Sequence, residues 1–333
     1  MKYTKSALLA LALACLTLTA CKGGKPNANT GSATLEIDGL ARGMGLETDF
    51  TEEGIVDDSE EIDRAFIPVT QNVLTKADGT ELRSDAYLYR ETLPEMLQAA
   101  YDQIRGGIAD GMAQIPITAT VTKDEFRDVY KAVYYDSPDL FFWAGGVRFG
   151  YNSAGYITKV MPEYNEFGAD IAGNISKLDN VLAAPLADMM NLASDADKVK
   201  YAHDYLVSHV EYDYNAPHAQ TVYGALIDGK CVCAGYARAF QYMMQKAGIR
   251  CGYISGTSMN ELGSGAHAWN IVELENEFYV MDVTWDDPIG GEAGKVYYDY
   301  YNVTDEGVAG SHARDALSMK LPVAMGTRFK AAW

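Results

Sequence analysis

Apolar residues along the chain fall into helical and alternating runs that change character near residue 230. From about Ser84, Leu93, Met96, Leu97, Ala100, Tyr101 and Ile104 recur at helical spacing and predict a helix ending near Gly106-Gly107. Thr122-Lys123-Asp124-Glu125 has the form of a capping box, in which the hydroxyl accepts an orphan backbone N–H and the glutamate reaches back. It predicts a second helix that stops before Pro138. Phe141 to Tyr151 and Tyr156 to Val160, separated by Asn152-Ser153-Ala154-Gly155, read as a hairpin. The aromatic cluster of Tyr134, Tyr135, Phe141, Phe142 and Trp143 reads as core packing rather than a ligand platform. Helical spacing returns through Ile175, Leu178, Val181, Leu182 and Met189, and again after Ser194 through Val199, Ala202, Tyr205 and Leu206.

The second half turns on Gly229 to Phe240. Tyr236, Phe240, Met243, Met244 and Ala247 predict a helix closed by Gly248, which sets Cys233 where a loop becomes a helix. A strand-like run follows at Arg250 to Ile254, then a Gly/Ser loop through Ser264-Gly265. Two further strands, His267 to Leu274 and Glu277 to Thr284, meet at Glu275-Asn276. If those two residues form a tight hairpin turn, Leu274 pairs with Glu277, and the continued register sets Trp269 opposite Asp282 and His267 opposite Thr284. His267 and Asp282 then share one face as diagonal neighbours, close enough for a hydrogen bond.

That placement changes the reading from fold to chemistry. At a helix N-terminus, unpaired N–H groups and the positive end of the dipole favour a thiolate over a thiol. An imidazole in Gly265-Ala266-His267-Ala268-Trp269-Asn270 and a carboxylate in Asp282-Val283-Thr284-Trp285-Asp286-Asp287-Pro288 supply a base and a group to orient it. Cys-Ala-Gly-Tyr-Ala, His-Ala-Trp-Asn and Asp-Val-Thr-Trp-Asp-Asp-Pro, in that order, resemble the transglutaminase-like superfamily of papain-related folds. The resemblance covers roughly residues 195 to 310, and more loosely 85 to 175, where Asp-x-Pro-x-Leu-Phe is similar to segments preceding the family's core. It implies an α+β fold in which a helix bearing the cysteine packs on an antiparallel sheet bearing His and Asp, preceded by an accessory helix-and-hairpin domain.

Matched residue by residue, the resemblance implies Cys233 as nucleophile, His267 as base and Asp282 as orienting acid. The oxyanion of such a reaction needs donors. The Cys233 backbone N–H is one, and Gln220 and Tyr223 are the nearest upstream side-chain candidates for a second. Trp269 and Trp285 could wall the cleft, with packing as the alternative. The chemistry is acyl transfer at an amide of a protein or peptide, to water or to an amine, with no cofactor and no metal. The alternative from another class is a catalytically silent binding or scaffold module. His203, His209, His218 and His312 lie outside any motif and are not principal candidates.

The start of the chain bears on compartment. Lys2 and Lys5, the apolar run Ala7 to Leu18, and Leu18-Thr19-Ala20-Cys21 resemble a bacterial lipoprotein signal. The expected organisation is a signal peptide at 1–20, a lipidated Cys21 with a flexible tether to 32, an unassigned acidic segment at 33–83, an accessory region at 84–172 and the catalytic domain at 173–333. The protein is then expected in the bacterial cell envelope, held to the membrane through Cys21.

Composition adds two exclusions. A formal net charge of −19 argues against nucleic acid, which needs a basic face to displace counterions. Cys231-Val232-Cys233 has no second Cys or His pair at zinc-ligand spacing. Residues two apart cannot pair readily, and Cys251, in an apolar run, reads as a buried structural thiol. Pairing of Cys231 with Cys251 and the oligomeric state stay open.

Overall fold

The computed structural model describes residues 54–56, 76–77, 79–80, 84–260, 263–288, 292 and 295–330. The expected signal peptide, Cys21, the tether and most of the acidic segment lie outside the described residues. Among the described residues, no helix is long and apolar enough to cross a membrane.

The run after Ser84 forms two helices, α1 (Leu88–Thr92) and α2 (Glu95–Ala109), not one. Pro94 divides them, because its extended backbone (ψ 146°) serves as the N-cap of α2. At the other end α2 passes through Gly106-Gly107, where a turn was expected. The helix needs a glycine there, since a Cβ on Gly107 would collide with the Ile115 side chain. The capping box forms at α3 (Lys123–Asp136): Glu125 N–H donates to Thr122 Oγ1 (3.4 Å) and Thr122 N–H to Glu125 Oε2 (2.9 Å).

The hairpin forms β3 (Trp143–Tyr151) and β4 (Ile157–Tyr164). It is flanked by β2 (Ile115–Pro116) and by β1 (Gly54–Val56), which gives the sheet order β1-β3-β4-β2. From the otherwise unassigned acidic segment, β1 joins in parallel, with Gly54 opposite Phe149.

Helices α4 (Ile171–Met190) and α5 (Asp195–His209) lead to a short parallel pair, β5 (Glu211–Tyr212) and β6 (Lys230–Cys231), and then to α6 (Cys233–Ala247). A second sheet comprises β7 (Cys251–Asn260), β8 (Gly263–Leu274), β9 (Glu277–Met281), β10 (Tyr301–Val303) and β11 (His312–Arg314), ordered β10-β9-β8-β7-β11. All its described pairings are antiparallel. The fold is α+β, with the cysteine helix packed on β7 and β8.

One face of α6 ties the first sheet's helices to this core. Arg238 donates to Tyr134 O (3.1 Å), Gln241 to Tyr135 O (2.9 Å) and Gln245 to Asp136 O (2.9 Å). Positions 238, 241 and 245 share a helix face, and the carbonyls they satisfy are those left open at the C-terminus of α3. The Asp136 carboxylate in turn accepts Tyr89 N–H (3.1 Å) and Arg90 N–H (2.9 Å) at the start of α1. Burial, opposed by these bonds, pushes Asp136 up to about 7. A continuous set of buried apolar residues runs from Ala86 to Ala324 through both regions.

Candidate active site

Cys233 is the first residue of α6. Val232 is its extended N-cap (φ −106°, ψ −176°), and Gly229 (φ 67°) closes the preceding turn of π-helix, Gly224–Asp228. Gly235 lets the strand and helix lie this close, since a Cβ there would overlap the Cys231 side chain and come within 2.5 Å of Ala219 O. The second half of α6 ends in the expected glycine, Gly248 at φ 74°.

His267 stands on β8, opposite Gly256 of β7. The β8–β9 connection is the expected two-residue turn. Glu275 (φ 51°) and Asn276 (φ 66°) are both left-handed, as a type I′ hairpin requires, and Leu274 pairs with Glu277. The register runs to Asn270 opposite Met281 and stops there. The strand expected to reach Thr284 therefore ends one residue before Asp282, and the chain turns, with Asp286 N–H donating to Asp282 O (3.2 Å). Asp282 nevertheless stays on the His267 side: Nε2 of His267 lies 2.7 Å from Asp282 Oδ2.

Both side chains are buried, Asp282 completely and His267 with 4% of its surface exposed; Cys233 is 2% exposed. Burial acts against a charged imidazole. The charge and hydrogen bond of Asp282 outweigh it, with a hydrogen bond and charge from Cys233 adding to them, and push His267 up to about 10. Asp282 answers in the opposite direction. Burial would raise it, yet the charge and hydrogen bond of His267, with a further contribution from His312, hold it well below the usual carboxylate range. With Nε2 committed to Asp282, Nδ1 is the ring nitrogen left for the sulfur.

The tryptophans enclose this pair. Trp269 lies nearly parallel to the His267 ring (centroids 5.7 Å, 26°), and Trp285 packs on it at 5.5 Å. Trp285 also donates its backbone N–H to Asp282 Oδ1 (3.2 Å). The two upstream candidates sit in different surroundings. Tyr223 packs among Phe141, Phe167 and His218, and Gln220 lines a small cavity with Arg238, Ser137 and Tyr134. Tyr212 is one phenol on the strand beside the thiols. Opposite Cys231 in the β5–β6 pair, it is raised far above its ordinary value by burial and by the charges of Cys233, Cys231 and Asp282.

His312 belongs to this site although no motif surrounds it. Its Nε2 lies 3.0 Å from the same Asp282 Oδ2 that receives His267. His203, also outside any motif, is fully buried between Asp286 (3.1 Å) and Asp204 (3.0 Å), one layer behind Asp282. Local sequence marks neither histidine, because the carboxylates that tie them to this region, Asp282 for His312 and Asp286 for His203, are met only through the tertiary fold.

His267, Asp282 and His312 each offer one donor atom within 4.8 Å of the others. Tetrahedral zinc with bonds near 2.0–2.1 Å would set its ligand atoms about 3.3 Å apart. The 2.7 and 3.0 Å contacts are instead those of hydrogen bonds that share one oxygen. Cys231, Cys233 and Cys251 are all free and buried, and burial pushes the thiols of Cys231 and Cys251 well up.

Residues 184–283 match the family model of the transglutaminase-like superfamily. Over 114 residues the chain is 32% identical to the kyphoscoliosis peptidase of Mus musculus, covering 30% of this chain and 17% of that one. The Homo sapiens kyphoscoliosis peptidase is 29% identical over 137 residues, covering 36% and 21%. The chain thus spans about a fifth of the length of these relatives. In three dimensions it is similar to the crystal structure of a TGase at 13% identity and a TM-score of 0.30, over 51% of this chain and 50% of the other. The segment that holds Cys233, His267 and Asp282 is a transglutaminase-like domain.

Proposed function

We propose that the chain is a cysteine acyl-transfer enzyme acting on amide bonds of protein or peptide substrates through Cys233, His267 and Asp282. The supporting observation is the seat of His267, whose Nε2 is fixed on a buried carboxylate at 2.7 Å, with Cys233 among the groups that favour its charged ring. In this mechanism the Cys233 thiolate attacks the amide carbon and the carbonyl π electrons move to oxygen. As the tetrahedral intermediate collapses, the C–N bond breaks and the leaving amine takes the proton from the His267 imidazolium. The thioester that results is opened by water or an amine, which gives its proton back to His267 and releases the thiolate.

The oxyanion is met by the backbone N–H of Cys233, which has no intrahelical acceptor at the first position of α6. Tyr212, kept protonated by its burial, is a candidate phenolic donor for it. The mouse and human relatives are named peptidases, which favours water as acceptor, whereas the superfamily's name points to an amine. The lipoprotein-like leader would place the enzyme at the bacterial envelope, anchored through Cys21. Mass measurement of the mature N-terminus from a bacterial host tests this.

The low exposure of Cys233 (2%) and His267 (4%) favours a second reading, a silent binding module with a closed cleft. Incubation with a thiol-reactive amide mimic separates the two. Stoichiometric labelling of Cys233 that is lost in His267→Ala supports catalysis, and indifference to that change supports the module. Envelope extracts treated with wild type or Cys233→Ala, followed for ammonia release, amine incorporation and peptide cleavage, then identify the acceptor.

A further inference from the structure

We infer that His312 is a positioning residue of this site: it fixes the Asp282 carboxylate through the same oxygen that His267 contacts, so that the orienting unit is a His-Asp-His cluster. The inference rests on the acyl-transfer reading for its consequence, but its geometry stands independently. Asp282 is fully buried, and its three side-chain contacts are Trp285 N–H on Oδ1 (3.2 Å), His267 on Oδ2 (2.7 Å) and His312 on Oδ2 (3.0 Å). Because Asp282 lies beyond the end of β9, no ladder hydrogen bond to β8 holds its backbone. Its N–H donates instead to Tyr300 O (3.2 Å) in a connecting segment. With two donors on one oxygen and one on the other, the carboxylate cannot rotate without breaking a buried hydrogen bond.

The fold makes room for this reach. His312 on the edge strand β11 pairs with Ser258 of β7, and Ser258 pairs with Gly265 of β8, two residues before His267. Paired positions project to one side and parity is kept over two residues, so His312 and His267 face the same way. Between them on β7 is Gly256. A Cβ there would overlap the Ala313 carbonyl and come within 2.7 Å of the Trp269 ring. The bare backbone leaves a lane that Trp269 and His312 fill, with ring centroids 4.9 Å apart.

The groups facing His312 are His267, Asp282, Trp269, Trp285, Tyr300 and Ser311. Ser311 Oγ lies 2.8 Å from His312 Nδ1, so the second nitrogen is anchored as well. Residue 312 falls outside the segment, 184–283, that matches the superfamily.

The test uses the full chain and needs no substrate. The imidazole titration of His267 is followed by nitrogen-detected NMR, and the pH profile of Cys233 alkylation by iodoacetamide is read by mass spectrometry. His312→Phe keeps a ring but no donor, and should lower the His267 titration by about one pH unit or more, because much of its elevation comes from a fixed Asp282. His312→Gln keeps an N–H donor and should recover most of the shift. An unmoved or raised titration in His312→Phe, or equal losses in Phe and Gln, would overturn the inference. Should the Phe variant fail to fold, the wild type decides: a His312 Nε2–H that exchanges slowly and couples to Asp282 supports the role, and its absence removes it. These readouts stand even if no acyl transfer is found, which separates failure of this inference from failure of the proposed function.

Discussion

His267 and Asp282 stand fifteen positions apart on either side of a hairpin, and their side chains meet at 2.7 Å although only one of them lies in a strand. The turn sets the register and the register sets the face. The chain's departure from the ladder after Met281 then lets the carboxylate lean toward the imidazole without carrying a strand backbone with it.

The electrostatics of that pair predict a pH window. The folded His267 titrates above its unfolded value, so its contribution to stability is complete below about pH 6.5 and is lost as pH rises through about 10. Asp282 titrates below its unfolded value, so its contribution is present above about pH 3.9 and is lost as pH falls further. Urea melts of wild type should show this part of the stability at its fullest between those limits. In His267→Ala the alkaline loss should disappear; a loss of equal size in that variant would show that another group is responsible.

Replacing Asp282 by Asn should lower turnover on the order of 10³- to 10⁴-fold, as expected when a catalytic imidazole loses its tautomer and its charge partner. Circular dichroism should show the fold retained. Wild-type rates in this variant would leave Cys233 and His267 as a dyad.

Cys231 and Cys233 should separate cleanly. Cys233→Ala should abolish labelling and acyl transfer. Cys231→Ala, which trims a buried side chain behind Gly235, should change activity by less than about tenfold, or roughly 1.4 kcal/mol of barrier. Recovery of the probe on Cys231 would show the nucleophile to be misassigned.

Tyr212→Phe removes the hydroxyl and little else. If that O–H meets the oxyanion, kcat should fall on the order of 10²-fold with KM nearly unchanged. Unchanged kcat would exclude it as the second donor and return attention to backbone N–H groups of α6.

Gly256→Ala drives a methyl group into the lane between β8 and β11. Overpacking of this kind costs about 1–3 kcal/mol, readable in a denaturant melt. It should also lower the His267 titration, because His312 moves with β11.

Much of this site is legible before folding because its signals are local. The helix through Tyr236 and Phe240, the glycine at its end and the turn at Glu275-Asn276 follow from spacing and from which residues tolerate a left-handed backbone. The end of β9 is less so: Val283 and Thr284 are good strand formers, and what stops the strand is the tertiary closure of Asp282 on its buried partners. His312 is illegible for a stronger reason. Ser-His-Ala-Arg has no periodicity, its strand is three residues long, and the partner that gives the imidazole meaning is thirty positions away. Similarly, nothing in the acidic segment announces that Gly54–Val56 would lie parallel to a hairpin some ninety residues downstream.

The edge position of β11 also fixes when the site is complete. A chain made from its N-terminus exposes Cys233, His267 and Asp282 well before residue 312 leaves the ribosome. Because β11 docks on β7, a strand already paired with β8, the second imidazole is added last. Until β11 docks, the nascent protein therefore holds a cysteine and a histidine whose carboxylate still lacks one anchor. Fragments that end soon after the Asp282 turn keep every motif residue and lose this last step.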